Sequence, residues 1–251
     1  MNKVAKITAV FWIIKICATT LGETAGDLLS MTMNVGYAVS SVILISLFLI
    51  SVVAQLKSTK FNPVLYWIVI LMTSTAGTTM SDFMDRTLGL GYMKGSLILI
   101  ACLLVVLAAW RISEKTLSVS NIQTTKAELF YWTAILFSNT LGTALGDFLS
   151  DDSGLGFIGG AALIGGLLGL VVLAATFARL NRVMLFWIAF VLTRPFGATF
   201  GDFLTKPVAK GGLNFGTVGS SLILASLLAT FIIYMSMREK RVIVVPNKRH
   251  R

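Results

Sequence analysis

Charged side chains are scarce in this chain of 251 residues, and their scarcity indicates the class of protein. Only 13% of the residues are charged, whereas an ordinary soluble domain carries about 25%. Another 56% are hydrophobic. A single compact core cannot hide that much apolar surface, so a soluble helical bundle is disfavoured. A lipid bilayer is the solvent that this composition predicts.

Soft metal ligands and catalytic motifs are also nearly absent. The single histidine is His250 in a basic tail, and two isolated cysteines, Cys17 and Cys102, lie inside apolar segments. Haem held by two histidines, histidine-rich zinc sites and a disulfide framework are therefore not expected. The sequence has no nucleophile–base pair, phosphate-binding loop or cofactor motif. We expect neither an enzyme nor a bound cofactor.

A fourfold internal repeat dominates what the sequence does contain. Residues 11–30, 66–85, 131–150 and 186–205 align without gaps. Each has an aromatic residue and a tryptophan, nine further residues, and then Gly-x-x-x-(Gly/Ser)-Asp. The equivalent positions are Trp12, Trp67, Trp132 and Trp187, followed by Asp27, Asp82, Asp147 and Asp202. A further aromatic residue follows at Tyr37, Tyr92, Phe157 and Phe215.

Each repeat contains two apolar segments long enough to cross about 30 Å of hydrocarbon. The sequence thus predicts an all-α polytopic membrane protein with eight transmembrane helices in one domain, 1–251. The predicted spans are 5–27, 35–56, 63–83, 92–110, 129–149, 157–178, 183–204 and 216–237. They group into repeats at about 5–56, 63–110, 129–178 and 183–237, followed by a basic tail, 238–251.

The basic residues predict how the chain is oriented. The termini and the loops between repeats contain 15 of the 21 Lys and Arg residues, and the loops inside repeats contain four. The positive-inside rule places both termini in the cytoplasm and the Gly-Asp motifs toward the outer face. Two crossings per repeat make the four repeats parallel, with pseudo-symmetry about the membrane normal. The tail is expected to lie on anionic lipid and not on nucleic acid.

With its tryptophan and Gly-x-x-x-(Gly/Ser)-Asp motif in each copy, followed by Phe in three of the four, the sequence resembles a family of bacterial membrane proteins made of four tandem two-helix repeats of unknown function. The resemblance covers nearly the whole chain. It implies the four-repeat architecture and a location in the bacterial cytoplasmic (inner) membrane. It implies no activity.

Small residues four positions apart allow helix backbones to touch. The pairs in this chain are Gly22/Gly26, Gly77/Ser81, Gly142/Gly146 and Gly197/Gly201. We expect them to pack the first helices of the four repeats at the centre, with the second helices partly peripheral. The aligned tryptophans lie near the start of each first helix, where an interfacial aromatic belt is the ordinary interpretation.

Packing does not explain the motif aspartates, because a carboxylate within hydrocarbon costs about 2.5–3.5 kcal/mol. Two interpretations are open: helix-end carboxylates in contact with outer water, or convergence into an oxygen-lined cation site. In the second, like charges would repel, and we expect at least one carboxylate to hold a proton at neutral pH. The predicted binding residues are Asp27, Asp82, Asp147 and Asp202, the possible metal ligands, with Glu23 and Arg194.

Two basic residues interrupt the apolar segments. Arg194, next to Pro195, is deep in its span and is expected to face an acid or a watery cavity. Lys15 has two open interpretations: neutralising a motif carboxylate, or extending its ammonium toward the cytoplasm.

The leading hypothesis is a secondary transporter or exporter of small cations. Oxygen ligands without usable histidine or cysteine favour a hard divalent metal such as manganese, with magnesium, calcium or an alkali ion also allowed. Proton coupling is compatible with the carboxylates. The alternative is a membrane scaffold or partner subunit that transports nothing and uses its glycine-rich core for assembly. A homo-oligomer is left open.

Overall fold

The computed structural model describes residues 3–122, 124–178 and 180–244, and within them the chain is helical, without β-strands. Eight α-helices occur in this described part. They are α1 (Ala9–Asp27), α2 (Tyr37–Lys57), α3 (Pro63–Asp82), α4 (Tyr92–Glu114), α5 (Thr125–Asp147), α6 (Gly156–Phe177), α7 (Arg182–Thr205) and α8 (Thr217–Val244). We call α1, α3, α5 and α7 the odd helices, and the other four the even helices.

Side-chain caps fix where the odd helices begin. Thr8, Asn62, Thr124 and Asn181 each accept a hydrogen bond from a backbone N–H in the first turn of the helix that follows. The first odd helix therefore starts at Ala9 and not at the predicted residue 5. The third starts at Thr125 and not at 129. At the other end of the chain, α8 continues past the predicted residue 237 to Val244.

The motif aspartate is the last residue of three odd helices. A π-helical turn follows directly in each case, at Leu28–Thr32, Phe83–Thr87 and Phe148–Asp152. Such turns are rare and occur often at functional sites. In the fourth repeat α7 runs on to Thr205 instead and stops before Lys206 and Pro207. Three of the aspartates therefore lie where regular helix ends and Asp202 lies one turn before the end of α7, all at one common end of the helix bundle.

The odd helices form a closed inner ring. Helix α1 contacts α3 and α7, and α5 contacts the same two helices from the other side. The even helices lie outside, each packed chiefly on the odd helix of the following repeat: α2 on α3, α4 on α5, α6 on α7 and α8 on α1. The predicted central and peripheral sets of helices thus match the architecture.

Six helices are long and apolar enough to cross a membrane: α2, α3, α4, α6, α7 and α8. Helices α1 and α5 are not among them, and both belong to the inner ring. The apolar stretch of α3 is 67% buried, whereas that of peripheral α6 is only 17% buried. Such extensive apolar exposure on the outer helices is typical of a membrane protein.

The motif glycines lie where neighbouring odd helices touch. The first glycines face the next helix around the ring, with the contacts Gly22 to Ser74, Gly77 to Thr140, Gly142 to Arg194 and Gly197 to Thr19. The second glycines do the same, with the contacts Gly26 to Thr78, Gly146 to Ala198 and Gly201 to Glu23. In the second repeat Ser81 replaces the second glycine and its hydroxyl donates to Asp85. A methyl group has no space at six of these seven glycines, and at Gly201 it would fit only if Glu23 moved slightly.

Aromatic side chains close the end of the ring at which the odd helices begin. We call Phe11, Tyr66, Trp67, Tyr131, Trp132, Phe186, Trp187 and Phe190 the aromatic layer. Trp67, Trp132 and Trp187 are buried in it, and only Trp12 is partly exposed. The predicted interfacial belt is therefore wrong for three tryptophans, because the first turns of the odd helices face one another and not the lipid.

We predict that Gly146→Leu and Gly201→Leu each abolish the folded protein. A Cβ on Gly146 would lie 2.7 Å from that of Ala198, and a Cβ on Gly201 would lie 3.0 Å from that of Glu23, so the ring must open. Gly166→Leu is the matched control, because nothing lies within 4 Å of a Cβ there. Size-exclusion chromatography in detergent measures the outcome. Monodisperse protein from both ring variants would contradict the close packing.

Candidate functional site

One arginine joins all four repeats. The Arg194 side chain is fully buried, and its Nη2 lies 2.9 Å from Glu23 Oε2, 2.5 Å from Thr78 Oγ1 and 2.6 Å from Thr143 Oγ1. Each of these three residues directly follows the first motif glycine of its repeat. A guanidinium from the fourth repeat therefore touches the equivalent position of the other three. This contact places Arg194 in the middle of the ring.

Glu23 is the carboxylate that neutralises Arg194. The pair is 0% and 3% exposed, and the Thr78 hydroxyl also lies 3.3 Å from Glu23 Oε2. Further acceptors for the guanidinium are the backbone carbonyls of Thr19 and Ser74, each at 3.4 Å. A buried ion pair needs such added hydrogen bonds to offset the loss of water. Arg194 thus faces an acid, as the sequence predicted.

Glu23 of this pair also lies close to carboxylates from two other repeats. One carboxylate oxygen from each of Glu23, Asp147 and Asp202 lies within 4.8 Å of the other two, and all three residues are buried. Calcium and magnesium bind oxygen ligands at about 2.0–2.6 Å, so a single ion fits between oxygens at this spacing. We call these three residues the carboxylate triad. The other two motif aspartates, Asp27 and Asp82, lie beside it and not within it.

Arg86 joins the aspartates of the second and third repeats. Its Nε lies 2.9 Å from Asp82 Oδ1 and its Nη2 lies 3.1 Å from Asp147 Oδ2. Tyr37 and Tyr92, the aromatic residues that follow the first two motifs, flank the guanidinium with ring centroids at 5.9 and 5.7 Å. Charge pairing and cation–π contact together hold Arg86 over the triad.

Lys206 has the equivalent role between the fourth and first repeats. Its Nζ lies 2.6 Å from Asp27 Oδ2 and 3.1 Å from Asp202 Oδ1. Burial alone would lower the pKa of Lys206, but the two carboxylates outweigh it and raise that pKa above its ordinary value. The ammonium therefore carries its positive charge beside both carboxylates at neutral pH. Arg86 and Lys206 are the basic caps of the site.

Negative charge is in excess at this site. Five carboxylates, none more than 4% exposed, face three basic side chains that form ion pairs with them, and counting the buried Lys15 as a fourth basic side chain still leaves one carboxylate in excess. The acids are Glu23, Asp27, Asp82, Asp147 and Asp202, and the bases are Arg86, Arg194 and Lys206. Buried charge without a counter-charge is strongly unfavourable. The surplus must be balanced by protons or by a bound cation.

Lys15 does neither of the things expected of it. Its side chain is fully buried, so the ammonium does not extend toward water. Within the described part of the chain it reaches no carboxylate: Nζ lies 3.3 Å from Asn139 Oδ1 and 4.0 Å from the centroid of the Phe190 ring. Asn139 in turn donates to Thr73 Oγ1 at 2.9 Å. Lys15 thus lies between the aromatic layer and Arg194.

Sequence reasoning missed four residues of the site: Arg86, Lys206, Thr78 and Thr143. Arg86 and Lys206 are two of the four basic residues that the sequence assigns to loops inside repeats, although each follows its motif aspartate by four positions, the spacing of ion pairs on one helix face. The two threonines share the alignment position of Glu23, which could have identified them. Other acidic residues near the motifs lie outside the site. Asp85 accepts a hydrogen bond from the Ser81 hydroxyl, and Asp151 and Asp152 are exposed.

The side chains of the basic tail, 238–251, lie outside the described residues. Their predicted contact with anionic lipid therefore stays a prediction.

We predict that Arg194→Gln lowers the free energy of unfolding by about 3–5 kcal/mol, because it leaves Glu23 buried without its counter-charge. The double variant with Glu23→Gln should recover a substantial part of that loss, since both charges are then removed. Thermal unfolding in detergent measures both effects. Arg111→Gln, at an exposed arginine, is the control. Equal destabilisation of single and double variants would show that the pair does not govern this site.

Comparison with known proteins gives one family. The family model described as Repeat of Unknown Function (DUF347) matches the chain four times, at residues 10–61, 65–116, 130–181 and 185–241. These matches confirm the four tandem repeats. No curated protein and no solved structure matches the chain.

Proposed function

Because the chain belongs to the DUF347 repeat family, we propose one function for the four-repeat ring as a whole: secondary transport of a small hard cation, in the export direction. The observation that carries the proposal is the excess of buried carboxylates over basic residues at the centre of the ring. In a scaffold, buried carboxylates without basic partners would only lower the stability of the fold. A cation that visits the site balances it.

The proposal includes the topology. All eight helices cross the inner membrane of a bacterium, both termini are cytoplasmic, and the motif aspartates lie toward the outer leaflet with the pseudo-symmetry axis along the membrane normal. Helices α1 and α5 need not be apolar themselves, because neighbouring helices shield their polar residues from lipid. The bias of basic residues, 15 against four, supports the orientation.

We predict that cysteine labelling distinguishes the two faces. Ser58, between the first two repeats, and Ser153, after the third motif, are replaced singly by cysteine in a variant without Cys17 and Cys102. Only Ser153→Cys should react with an impermeant maleimide added from outside, and Ser58→Cys should react after the cells are opened. The reverse pattern would place the carboxylates on the cytoplasmic side.

The carboxylate triad supports the choice of cation. Its three ligating groups are hard oxygens from Glu23, Asp147 and Asp202, and the triad contains no sulfur or imidazole. Such ligands suit manganese, magnesium, calcium or an alkali ion better than copper or zinc. Manganese is the substrate that we propose first. In the absence of the ion, protons would neutralise the surplus carboxylates, and their release on binding would couple transport to protons.

The two ends of the ring are closed in different ways. The aromatic layer fills the end at which the odd helices begin, and Arg86 and Lys206 cover the other end. The proposed transport cycle opens these two closures alternately. On the side of the basic caps, Arg86 and Lys206 move aside while a cation enters or leaves, and they keep their charge within the site.

We predict that manganese raises the melting temperature of the purified protein. A ligand at about 100 times its Kd stabilises the folded state by about 2.7 kcal/mol. Asp147→Asn and Asp202→Asn should fold but lose this shift and lose manganese uptake into dye-loaded proteoliposomes, because each removes one anionic ligand. Asp152→Asn, at an exposed aspartate outside the site, is the control.

The competing function is a membrane scaffold or partner subunit that transports nothing. One observation favours it: each acid of the triad already has a basic partner within the chain, namely Arg194, Arg86 and Lys206. If the motif variants bind and transport as the unchanged protein does, this interpretation replaces transport. Both proposals describe a protein that lies in a lipid bilayer and catalyses no reaction. Neither proposal includes binding of nucleic acid, and both are compatible with a homo-oligomer.

A further inference from the structure

An apolar groove opens on the outside of the ring, away from the carboxylate triad. It has a volume of about 350 Å³ and is lined by residues of α1, α6 and α7, of which α6 packs on α7. Val171 and Ala175 of α6 form one wall, and Trp12 and Phe186 form the opposite wall. Among the described residues that line it, Arg182, the first residue of α7, is the one that carries a charge.

The same niche is filled by an indole in the preceding repeat. Trp110 of α4 is 1% exposed, with ring centroids 6.4 Å from Tyr131 and 5.8 Å from Trp187. Trp110 follows Asp82 by 28 residues, and Ala175 follows Asp147 by the same 28. The groove is therefore the Trp110 niche with its indole replaced by a methyl group.

The walls of the two niches correspond as well. Phe186 occupies the alignment position of Tyr131, and Trp12 occupies that of Trp187. The walls leave space for a side chain as large as that of Trp110, but the described chain has only the methyl group of Ala175 at this position. A ligand from outside the chain can complete the packing, and the surrounding solvent is hydrocarbon.

Two polar groups at the groove are without partners. Arg182 is exposed and forms no ion pair with any described residue. Trp187 donates its indole N–H to the Leu117 carbonyl at 3.1 Å, in the long connection that follows α4. The equivalent connection after α6 is shorter and consists of residues 178–181. Trp12 is the residue equivalent to Trp187, and within the described chain its indole N–H has no acceptor. The Arg182 guanidinium and the Trp12 indole N–H, which has no acceptor within the described chain, therefore lie at the edge of the apolar groove.

We propose that this groove binds one phospholipid with an anionic head group. An acyl chain lies along the α6 wall where the missing indole would be. The phosphate lies at Arg182, and a head-group or ester oxygen accepts the Trp12 N–H. A neutral hydrocarbon would use the apolar walls alone, and a soluble anion would use Arg182 alone. A phospholipid uses both, so the combination of walls, cation and donor selects it.

Ala175→Trp tests the proposal directly, since it rebuilds the filled niche. The full-length protein in detergent is titrated with phosphatidylglycerol, and native mass spectrometry counts the bound lipids. The unchanged protein should retain one phosphatidylglycerol in preference to phosphatidylcholine. Ala175→Trp should remain folded and lose that lipid. Leu170→Trp, at an exposed position of the same helix, should retain it.

Arg182→Gln gives a second measurement that does not change the packing. It should weaken phosphatidylglycerol binding about fivefold, the effect of one basic residue near an anionic lipid, and leave phosphatidylcholine unaffected. Lys57→Gln, at another exposed basic residue, should change neither. Retention of the lipid by Ala175→Trp, equal binding of both lipids, or a changed oligomeric state in Ala175→Trp would overturn the proposal. The last result would assign the groove to a second copy of the chain.

Discussion

Backbone contact at the motif glycines sets how near the four odd helices come to one another, and the central polar site depends on that distance. At Gly22, Gly142 and Gly197 a single added carbon would collide with the next helix. Because the ring is this narrow, one guanidinium on α7 reaches the equivalent residue of every other repeat. In a bilayer, where apolar surface gives helices little reason to associate, such close contacts together with interhelical hydrogen bonds hold a bundle. In three of the four repeats the glycine that sets the helix contact is followed directly by a residue of the polar site.

The backbone repeats four times, but the charges at its centre do not. Glu23 is present in the first repeat alone and Arg194 in the fourth alone, whereas the basic caps follow the motif aspartate in the second and fourth repeats. Each cap connects its own repeat to the next one, so the aspartates are joined in two pairs. A nearly fourfold frame thus contains a polar centre of lower symmetry. The carboxylate triad therefore takes its members from the first, third and fourth repeats and has no equivalent elsewhere in the ring.

Much of the architecture follows from patterns that a sequence displays openly. The repeat, the apolar segments and the glycine spacing predicted the eight helices and their central and peripheral sets, because these depend on local periodicity. The direction of side chains around a closed ring depends on distant contacts. The tryptophans were therefore predicted to lie at the membrane interface, although three of them are buried inside the ring. Lys15 was predicted to contact a carboxylate or water, although it contacts Asn139 and Phe190. Arg86 and Lys206 looked like loop charges because the chain leaves regular α-helix close to them.

The packing of each even helix on the next repeat has a consequence for how the protein is made. No repeat encloses an interior of its own, and the ring closes only when α7 and α8 reach α1. During synthesis α1 is therefore made long before its neighbours on one side exist. Glu23 and Arg194 are separated by 171 positions, so the first acid to be synthesised is among the last to be neutralised. The polar helix α1 must be kept from unfavourable contacts until the end of the chain is made.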